Sequence, residues 1–446
     1  MRPLLCTLIS LAPLVAAEVI PDDGQDDLPA LRASVAAVGE GGAVDISLPA
    51  GRIDLMPQRG AVPLTISKRS TVTIRGARAA DGTPATTVLI HWAGAWEPDV
   101  PTPGFANINQ CGVTTIADLR FDHTPLTVGA GTIIAGERGL TVRRLPGHPA
   151  IDGMAAFLLG TAAADSGQIL RGRHTYDTTA RWALQADGTL RVNAGRGQAG
   201  DIAYWFPANG GRPMLNTRDL AALTLDNLHF DSASGFTCML QRTRGDLTVR
   251  GVVIAPPAGR YAVTGRDGVH IADVGGAVRI TGCHFAGMQD DAINVHGSYE
   301  LVRVRRDAQT LHVHGNRSLR YRYGKPGFKG RRPNIAVGEA LAFLDRAALP
   351  AFRTTVTAVE EQEDLSAVIT VADALPAWVD ADTWIEPLSW LPKTTRISDC
   401  TFRDLVGRGI KLSAHDAVIE DCRFLRTTAA NSIGALLVAT PIEAGR

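Results

Sequence analysis

The sequence has no excess of charge of either sign, few cysteines and few aromatic residues. Its 446 residues carry 45 Lys and Arg against 45 Asp and Glu, and charged residues make up only 20% of the chain. Such a chain has no general basic field, which argues against nucleic acid or an anionic membrane surface as its partner. The six cysteines are too sparse for a disulfide-held scaffold. The hydrophobic fraction of 45% excludes a disordered chain.

Long apolar runs are also missing, apart from a short one at the N-terminus. Leu4–Val15 is apolar, follows the basic start Met1-Arg2-Pro3 and ends in small residues up to Ala17. This is the pattern of a secretory signal peptide, and it is shorter than the ~20 residues that span a bilayer. The sequence therefore predicts a signal peptide at residues 1–17, cleaved near Ala17. It also predicts a secreted or periplasmic protein without a membrane span.

Glycine is abundant, with 46 residues, and many of these glycines punctuate a repeat. The repeat is an octet of two short alternating strands joined by a Gly, Asn or Asp bend, residue types that tolerate a left-handed backbone. Its clear copies are Leu223–Phe230, Leu247–Ile254, Val278–Phe285, Thr395–Phe402 and Ala417–Phe424. Weaker copies begin at Val72, Thr114 and Leu140. Spacings of 24, 31 and 22 residues, from Leu223 to Leu247, from Leu247 to Val278 and from Thr395 to Ala417, are typical of the coils of a right-handed parallel β-helix.

Three cysteines occupy the same position of the octet. Cys283, Cys400 and Cys422 each follow the bend residue. This indicates an inward stack of free thiols that pack as small hydrophobic groups. A disulfide between Cys400 and Cys422 is the alternative, and it is disfavoured because stacked side chains sit slightly too far apart.

The rest of the chain fits around these coils. After the acidic stretch 22–27, apolar residues at helical spacing (Leu28, Leu31, Val35, Val38) predict a helix that covers the first coil. Residues 155–218 and 298–394 contain alternating strands without the octet, which predict small inserted antiparallel β-barrels or sheets; we assign two β-barrels. The predicted fold is all-β, a pectin-lyase-like right-handed parallel β-helix with two inserts. The predicted order is the signal peptide 1–17, coils 18–154, insert 155–218, coils 219–297 with the active site, insert 298–394, and coils 395–446.

Three aspartates lie on consecutive predicted coils. The run Asp267-Gly-Val-His270-Ile aligns with Asp291-Ala-Ile-Asn294-Val, 24 residues later. This register places Asp267 next to Asp291, with Asp290 beside them. Crowded carboxylates repel one another and are costly unless they share protons or a site needs them. The alternative is that the Asp-Asp pair only stabilises a turn.

Glycoside hydrolysis requires such a set of carboxyl groups, one as general acid and others as base. We assign Asp290 as the acid, and Asp267 with Asp291 as the groups that hold the attacking water; the reverse assignment stays open. An inverting reaction predicts carboxyl groups roughly 6.5–9.5 Å apart. The candidate sugar-binding residues are polar residues nearby in this register: His270, Asn294, His296, Lys411 and Arg266.

Around these aspartates the sequence resembles glycoside hydrolase family 110. The resemblance lies in Asp290–Tyr299, with Arg266-Asp267-Gly268 one coil earlier. It implies a secreted bacterial α-1,3-galactosidase that acts with inversion and without a metal cofactor. The implied partner is a glycan with terminal α-1,3-linked galactose, of blood-group B or linear type. The implied catalytic carboxylates are Asp267, Asp290 and Asp291.

Other readings remain open at this point. Polygalacturonases of family 28 are a more distant likeness, in which Arg408-Gly-Ile-Lys411 has one residue too many and a Gly-His-Gly element is absent. Pectin is therefore disfavoured. A calcium-dependent polysaccharide lyase and a non-catalytic β-helical glycan binder are the remaining alternatives. The sequence leaves the oligomeric state and the preference for branched or linear glycans undecided.

Overall fold

The computed structural model describes residues 19–438, apart from 98–99, 137–138, 150, 171–173, 175–178, 207–210, 234, 316–331, 346, 348, 415 and 429–434. The predicted signal peptide lies outside these residues. The predicted helix is confirmed as α1 (Leu28–Ala36), which buries Leu28, Leu31 and Val35. The side chain of Asp27 does not cap this helix. It accepts hydrogen bonds from the backbone N–H groups of Ile20 and Asp54 instead.

The strands of the first coils pair with one another in parallel. Alternating buried and exposed residues along these strands direct one row of side chains into the core. β1 pairs with β4, β2 with β5, β3 with β6, and both β4 and β5 with β7. The strands are β1 (Ala43–Ser47), β2 (Gly51–Leu55), β3 (Leu64–Ser67), β4 (Thr71–Arg75), β5 (Thr86–His91), β6 (Ala106–Asn109) and β7 (Val113–Thr124).

The first insert differs from the prediction in two ways. It is a six-stranded antiparallel sheet rather than a closed barrel, and it begins before residue 155. The weak octet copy at Leu140 lies in this sheet and is not a coil strand. Its strands are β8 (Gly129–Ala135), β9 (Leu140–Arg144), β10 (Phe157–Ala162), β11 (Ala183–Leu184), β12 (Leu190–Val192) and β13 (Ile202–Phe206). Tryptophans 92, 96, 182 and 205 pack in one cluster with this sheet.

The central coils return to parallel pairing. β14, β16, β19 and β22 follow one another in one sheet, in chain order. The octet strands pair in a second sheet. The strands are β14 (Leu215–Leu220), β15 (Ala222–Phe230), β16 (Cys238–Thr243), β17 (Leu247–Arg250), β18 (Val253–Ile254), β19 (Val269–Val274), β20 (Ala277–Thr281), β21 (His284–Ala286) and β22 (Ile293–His296).

The barrel predicted within residues 298–394 is confirmed. Six antiparallel strands close on one another in the order β23-β24-β27-β26-β25-β28. They are β23 (Glu300–Arg305), β24 (Thr310–Gly315), β25 (Ala340–Leu344), β26 (Pro350–Glu361), β27 (Ala367–Val371) and β28 (Trp384–Pro387).

The final coils stack directly on the central ones, across the barrel insertion. β20 pairs with β29, β21 with β30 and β22 with β31, all in parallel. The strands are β29 (Thr394–Ser398), β30 (Thr401–Arg403), β31 (Ile410–Leu412), β32 (Ala417–Glu420), β33 (Arg423–Leu425) and β34 (Leu436–Val438). The barrel is therefore an insertion between two coils that pair directly with each other.

The octets have the predicted bends and an aromatic core. The bend residues all have positive φ, between 51° and 65°: Asn227, Gly251, Gly282, Asp399 and Asp421. The closing phenylalanines stack, with Phe402 lying 5.3 Å from Phe285 and 4.7 Å from Phe424 between ring centroids. The five described cysteines are free thiols, which confirms the thiol stack rather than the disulfide. Within the described residues, no helix is long and apolar enough to cross a membrane.

Candidate active site

The three aspartates meet where β19, β22 and β31 lie side by side. Asp267 and Asp291 each stand two residues before their strand, and β19 and β22 pair in parallel with Val269 opposite Ile293. The backbone N–H of Asp291 donates to Oδ1 of Asp267 at 3.3 Å. One oxygen from each of Asp267, Asp290 and Asp291 lies within 4.8 Å of the others. The neighbouring positions predicted from the 24-residue spacing are thus confirmed.

Asp267 is buried and surrounded by N–H donors. Its Oδ2 lies 2.7 Å from Nδ1 of His270 and accepts a hydrogen bond from Nδ2 of Asn294 at 3.0 Å. His270 and Asn294 are paired in register, as predicted. These contacts hold the carboxylate of Asp267 in one orientation.

His270 has a protein partner at each ring nitrogen. Its Nε2 lies 3.1 Å from Nε2 of His296, and its Nδ1 contacts Asp267. The ring of Phe236 packs edge-on against it, with centroids 5.1 Å apart. These contacts favour a role in orienting Asp267 over the predicted contact with a sugar hydroxyl.

Asp291 is buried against a guanidinium group. Nη1 of Arg408 lies 3.3 and 3.2 Å from its two carboxylate oxygens. Burial raises the pKa of Asp291 to about 7, and repulsion from Asp267 and Asp290 adds to this, while Arg408 and Lys411 act in the opposite direction. Burial and attraction therefore compete at this carboxyl group. Because Arg408 contacts both oxygens, the charged form of Asp291 has a partner ready in place.

Asp290 lies half-buried beside the other two acids. Burial, followed by the charge of Asp267, raises the pKa of Asp290, and the cations Arg266 and Arg408 oppose this rise. The neighbouring coil touches its backbone, since a Cβ added at Gly407 would lie 2.4 Å from the carbonyl carbon of Asp290. Only glycine allows this approach without a shift of Asp290. Asp290 thus has a raised pKa, as the general acid of a glycosidase requires.

Two buried polar atoms next to the carboxylates lack a partner among the described residues. They are Oδ1 of Asn294, an acceptor, and Nε of Arg408, a donor. Unsatisfied buried polar atoms are costly in a native protein and are often explained by a missing water or ligand. A ligand rich in hydroxyl groups can satisfy both, because a hydroxyl both donates and accepts.

The remaining predicted residues lie around this cluster in different ways. Lys411 is paired in register with Asn294 and is half-buried. Arg266 places its guanidinium 5.7 Å from the ring centroid of Phe157, in the antiparallel sheet. The hydroxyl of Tyr204, from the same sheet, lies 3.3 Å from Nε2 of Gln289, the residue before Asp290. The first insert therefore contacts both segments that carry the acids.

Arg408 is a site residue that was not among the predicted ones. Its only signal in the sequence is its place in Arg408-Gly-Ile-Lys411. It lies in the turn before β31, where the alternation of strands does not say which way a side chain points. Its contact with Asp291 joins coils separated by the whole barrel.

The distances between single carboxylate oxygens do not decide between inversion and retention. Single oxygens of the three carboxylates lie within 4.8 Å of one another. The predicted value was roughly 6.5–9.5 Å between carboxyl groups, and pairs that form a covalent intermediate lie about 5–5.5 Å apart. The spacing itself therefore does not favour inversion.

The same three oxygens could also hold a divalent cation, because carboxylates at this spacing suit Ca²⁺. The donor set fits this poorly. One oxygen of Asp267 is bonded to His270 and Asn294, and both oxygens of Asp291 face Arg408. A cation would have to compete with these positive and hydrogen-bonding groups.

Comparison with known proteins finds curated relatives of part of the chain. No family model matches the chain. It is 26% identical over 288 residues to alpha-1,3-galactosidase A of Bacteroides fragilis, covering 63% of this chain and 43% of that protein. It is 28% identical over 173 residues to alpha-1,3-galactosidase B of Akkermansia muciniphila, covering 38% of this chain and 20% of that protein. The chain therefore spans less than half the length of these curated relatives.

A solved structure was also found, at low similarity. The A-module of a mannuronan C-5 epimerase from Azotobacter vinelandii covers 95% of this chain and 96% of its own, with 10% identity and a TM-score of 0.20. A score this low supports no conclusion. The curated relatives are alpha-1,3-galactosidases, the activity of the family that the aspartate motif resembles, so the resemblance to glycoside hydrolase family 110 is confirmed.

Proposed function

We propose that the protein is an exo-acting glycoside hydrolase that removes terminal α-1,3-linked D-galactose from glycans. The observation that carries this proposal is the convergence of Asp267, Asp290 and Asp291 from consecutive coils. One of them is held by N–H donors, and two have raised pKa values. The curated relatives are named alpha-1,3-galactosidases, which supports galactose as the sugar. The fold we propose is the right-handed parallel β-helix, which is consistent with the parallel coil-on-coil pairing.

Asp290 is the general acid in this proposal. Both Asp290 and Asp291 have raised pKa values, but Asp291 lies against Arg408, which stabilises a negative charge there, and Asp290 has no such ion pair among the described residues. Asp267 is surrounded by donors and acts as a base. Asp267 and Asp291 together hold and deprotonate the attacking water, while Asp290 protonates the departing glycosidic oxygen.

The galactose hydroxyls bind to the polar groups around the acids. The unpartnered atoms Asn294 Oδ1 and Arg408 Nε are the first candidates, because a bound hydroxyl would satisfy them. Lys411, His296 and Arg266 complete the proposed sugar-binding set. His270 serves Asp267 instead.

The stereochemical outcome and the location are further parts of the proposal. We infer inversion from the resemblance, and we infer a secreted or periplasmic enzyme from the predicted signal peptide. The substrate is a blood-group B-type or linear α-Gal glycan, and no cofactor is required.

Asp290→Asn tests the assignment of the acid. An aryl galactoside with a good leaving group needs little protonation, so this variant should keep most of its turnover of that substrate. It should lose about 10²–10⁴-fold on a natural trisaccharide, the usual contribution of acid catalysis. Initial rates on both substrates measure this. Asp267→Asn is the matched comparison and should lose activity on both.

The reverse pattern would contradict the assignment. If Asp291→Asn kept the aryl substrate while Asp290→Asn lost both, the acid and base roles would be exchanged.

A cation-dependent lyase is the second candidate, favoured by the spacing of the three carboxylates. A lyase would lose activity in a chelator and would release an unsaturated product that absorbs in the ultraviolet. The hydrolase should retain its activity in the chelator and release free galactose. A glycan binder would bind the trisaccharide and release nothing.

A further inference from the structure

Two histidine rings link Asp267 to a backbone carbonyl group. Nδ1 of His296 lies 2.9 Å from the carbonyl oxygen of Gly297. The Nε2 atoms of His296 and His270 are 3.1 Å apart. Nδ1 of His270 lies 2.7 Å from Oδ2 of Asp267. We call these three contacts, from Gly297 through both rings to Asp267, the imidazole chain.

Each contact in the imidazole chain needs one proton. The carbonyl oxygen of Gly297 can only accept, so Nδ1 of His296 must carry a proton. Two ring nitrogens in contact need a proton between them, and so do a ring nitrogen and a carboxylate oxygen. Two neutral imidazole rings supply one proton each, which leaves the three contacts one proton short.

We propose that the imidazole chain holds one proton more than two neutral histidines, and that this proton is on the rings. His270 and His296 are then positioning residues that keep Asp267 ionised and oriented. This inference rests on the proposed function in one respect, that Asp267 acts as the base. The extra proton also offsets negative charge in the cluster of carboxyl groups, which lowers the cost of bringing these groups together.

Charged groups face the two rings from the coils on the β22 side. On the coil of His270 itself, the acid in contact with the ring is Asp267, just before β19. The coil of β22 adds Asp290 and Asp291, and the coil of β31 adds Lys411 beside Asn294.

On the β16 side the neighbour of His270 in register is Met239, which carries no charge. Asp273, at the far end of β19, is engaged by the N–H and hydroxyl of Ser298. Arg408 lies against Asp291. The acids lie on the Asp267 side of His270, which favours a positive charge on the rings.

Nitrogen NMR of the histidine rings tests the proposal directly. The full chain is labelled with ¹⁵N-histidine, and the two rings are assigned from the signals lost in His270→Gln and His296→Gln. Near neutral pH, three of the four ring nitrogens should have the shifts of protonated nitrogen. Two protonated nitrogens of four, one per ring, would overturn the proposal.

His296→Gln gives a second readout that a purely structural role would not move. The glutamine amide can donate to Nε2 of His270, so one neutral ring then satisfies the contact with Asp267. His270 should then be protonated at Nδ1 and unprotonated at Nε2. The control His284→Gln, a half-buried histidine on β21, should leave both rings unchanged. A doubly protonated His270 in His296→Gln would contradict the inference.

The two proposals can fail separately. The spectra are recorded without substrate, so they report on the protons whatever reaction the enzyme catalyses. A protein that released no galactose, but had three protonated ring nitrogens, would overturn the proposed function alone.

Discussion

Asp291 is buried beside two other carboxyl groups, and its pKa of about 7 lies well above the ordinary value of 3.8. Between these values the folded protein holds a proton that the unfolded chain has lost. The free energy of unfolding therefore falls as pH rises through this window, because the folded state must either keep the proton or bury a charge. Asp291 therefore lowers stability at neutral pH. Strongly perturbed pKa values of this kind cluster at functional sites.

Asp291→Asn should remove this pH dependence. The amide cannot ionise, so the stability of the variant relative to wild type should rise between about pH 4 and pH 7. Urea unfolding midpoints at several pH values measure this difference. Asp416→Asn, at an exposed position between coils, is the control. Parallel wild-type and Asp291→Asn curves would mean that Asp291 is not the group that titrates.

The pairing of Asp267 with Asp291 was predictable because both stand two residues before strands of one repeat, 24 positions apart. The imidazole chain was not predictable in the same way. The contact between His270 and His296 depends on side-chain rotamers, which a pattern of residue types does not specify. Likewise, the contact of Arg408 with Asp291 depends on the path of a turn.

At the scale of elements, the octets are held together by their inward residues. Phe402 is fully buried between Phe285 and Phe424, with nearly parallel rings on both sides. Stacking of like residues is what aligns one coil on the next and thereby aligns the site-bearing strands β22 and β31.

Phe402→Ala should lower the free energy of unfolding by about 3–5 kcal/mol, the usual cost of truncating a buried phenylalanine. Denaturant midpoints measure this. Val418→Ala on β32 is the matched control, because Val418 is 46% exposed and its truncation should change stability by about 0.5 kcal/mol or less. Equal effects of the two changes would show that the phenylalanine stack is not a main source of coil stability.

The sequence predicted strands reliably but not always their partners. Leu140-Thr-Val-Arg alternates just as the coil strands do, yet β9 pairs antiparallel with β8 and β12. Period-two alternation reports which residues are buried and not the direction of the neighbouring strand. This is why the first insert was predicted to begin too late.

At the scale of the whole molecule, the two inserts lie on either side of the aspartates in the chain. The antiparallel sheet contacts the segments around them through Tyr204 and Phe157. The barrel begins at Glu300, four residues after His296, and Ser298 ties this exit to Asp273. The chain has no net charge overall, and three of its carboxyl groups come together close to where these elements meet.

The most direct test of the proposed function is proton NMR of the galactose released from an α-1,3-galactosyl trisaccharide. Wild-type protein should release free galactose that is first seen as the β-anomer, before mutarotation, and Asp290→Asn should release almost none. Release of the α-anomer first would contradict inversion but not hydrolysis. An absence of free galactose, or an unsaturated product in its place, would contradict the proposal that these carboxylates catalyse galactoside hydrolysis.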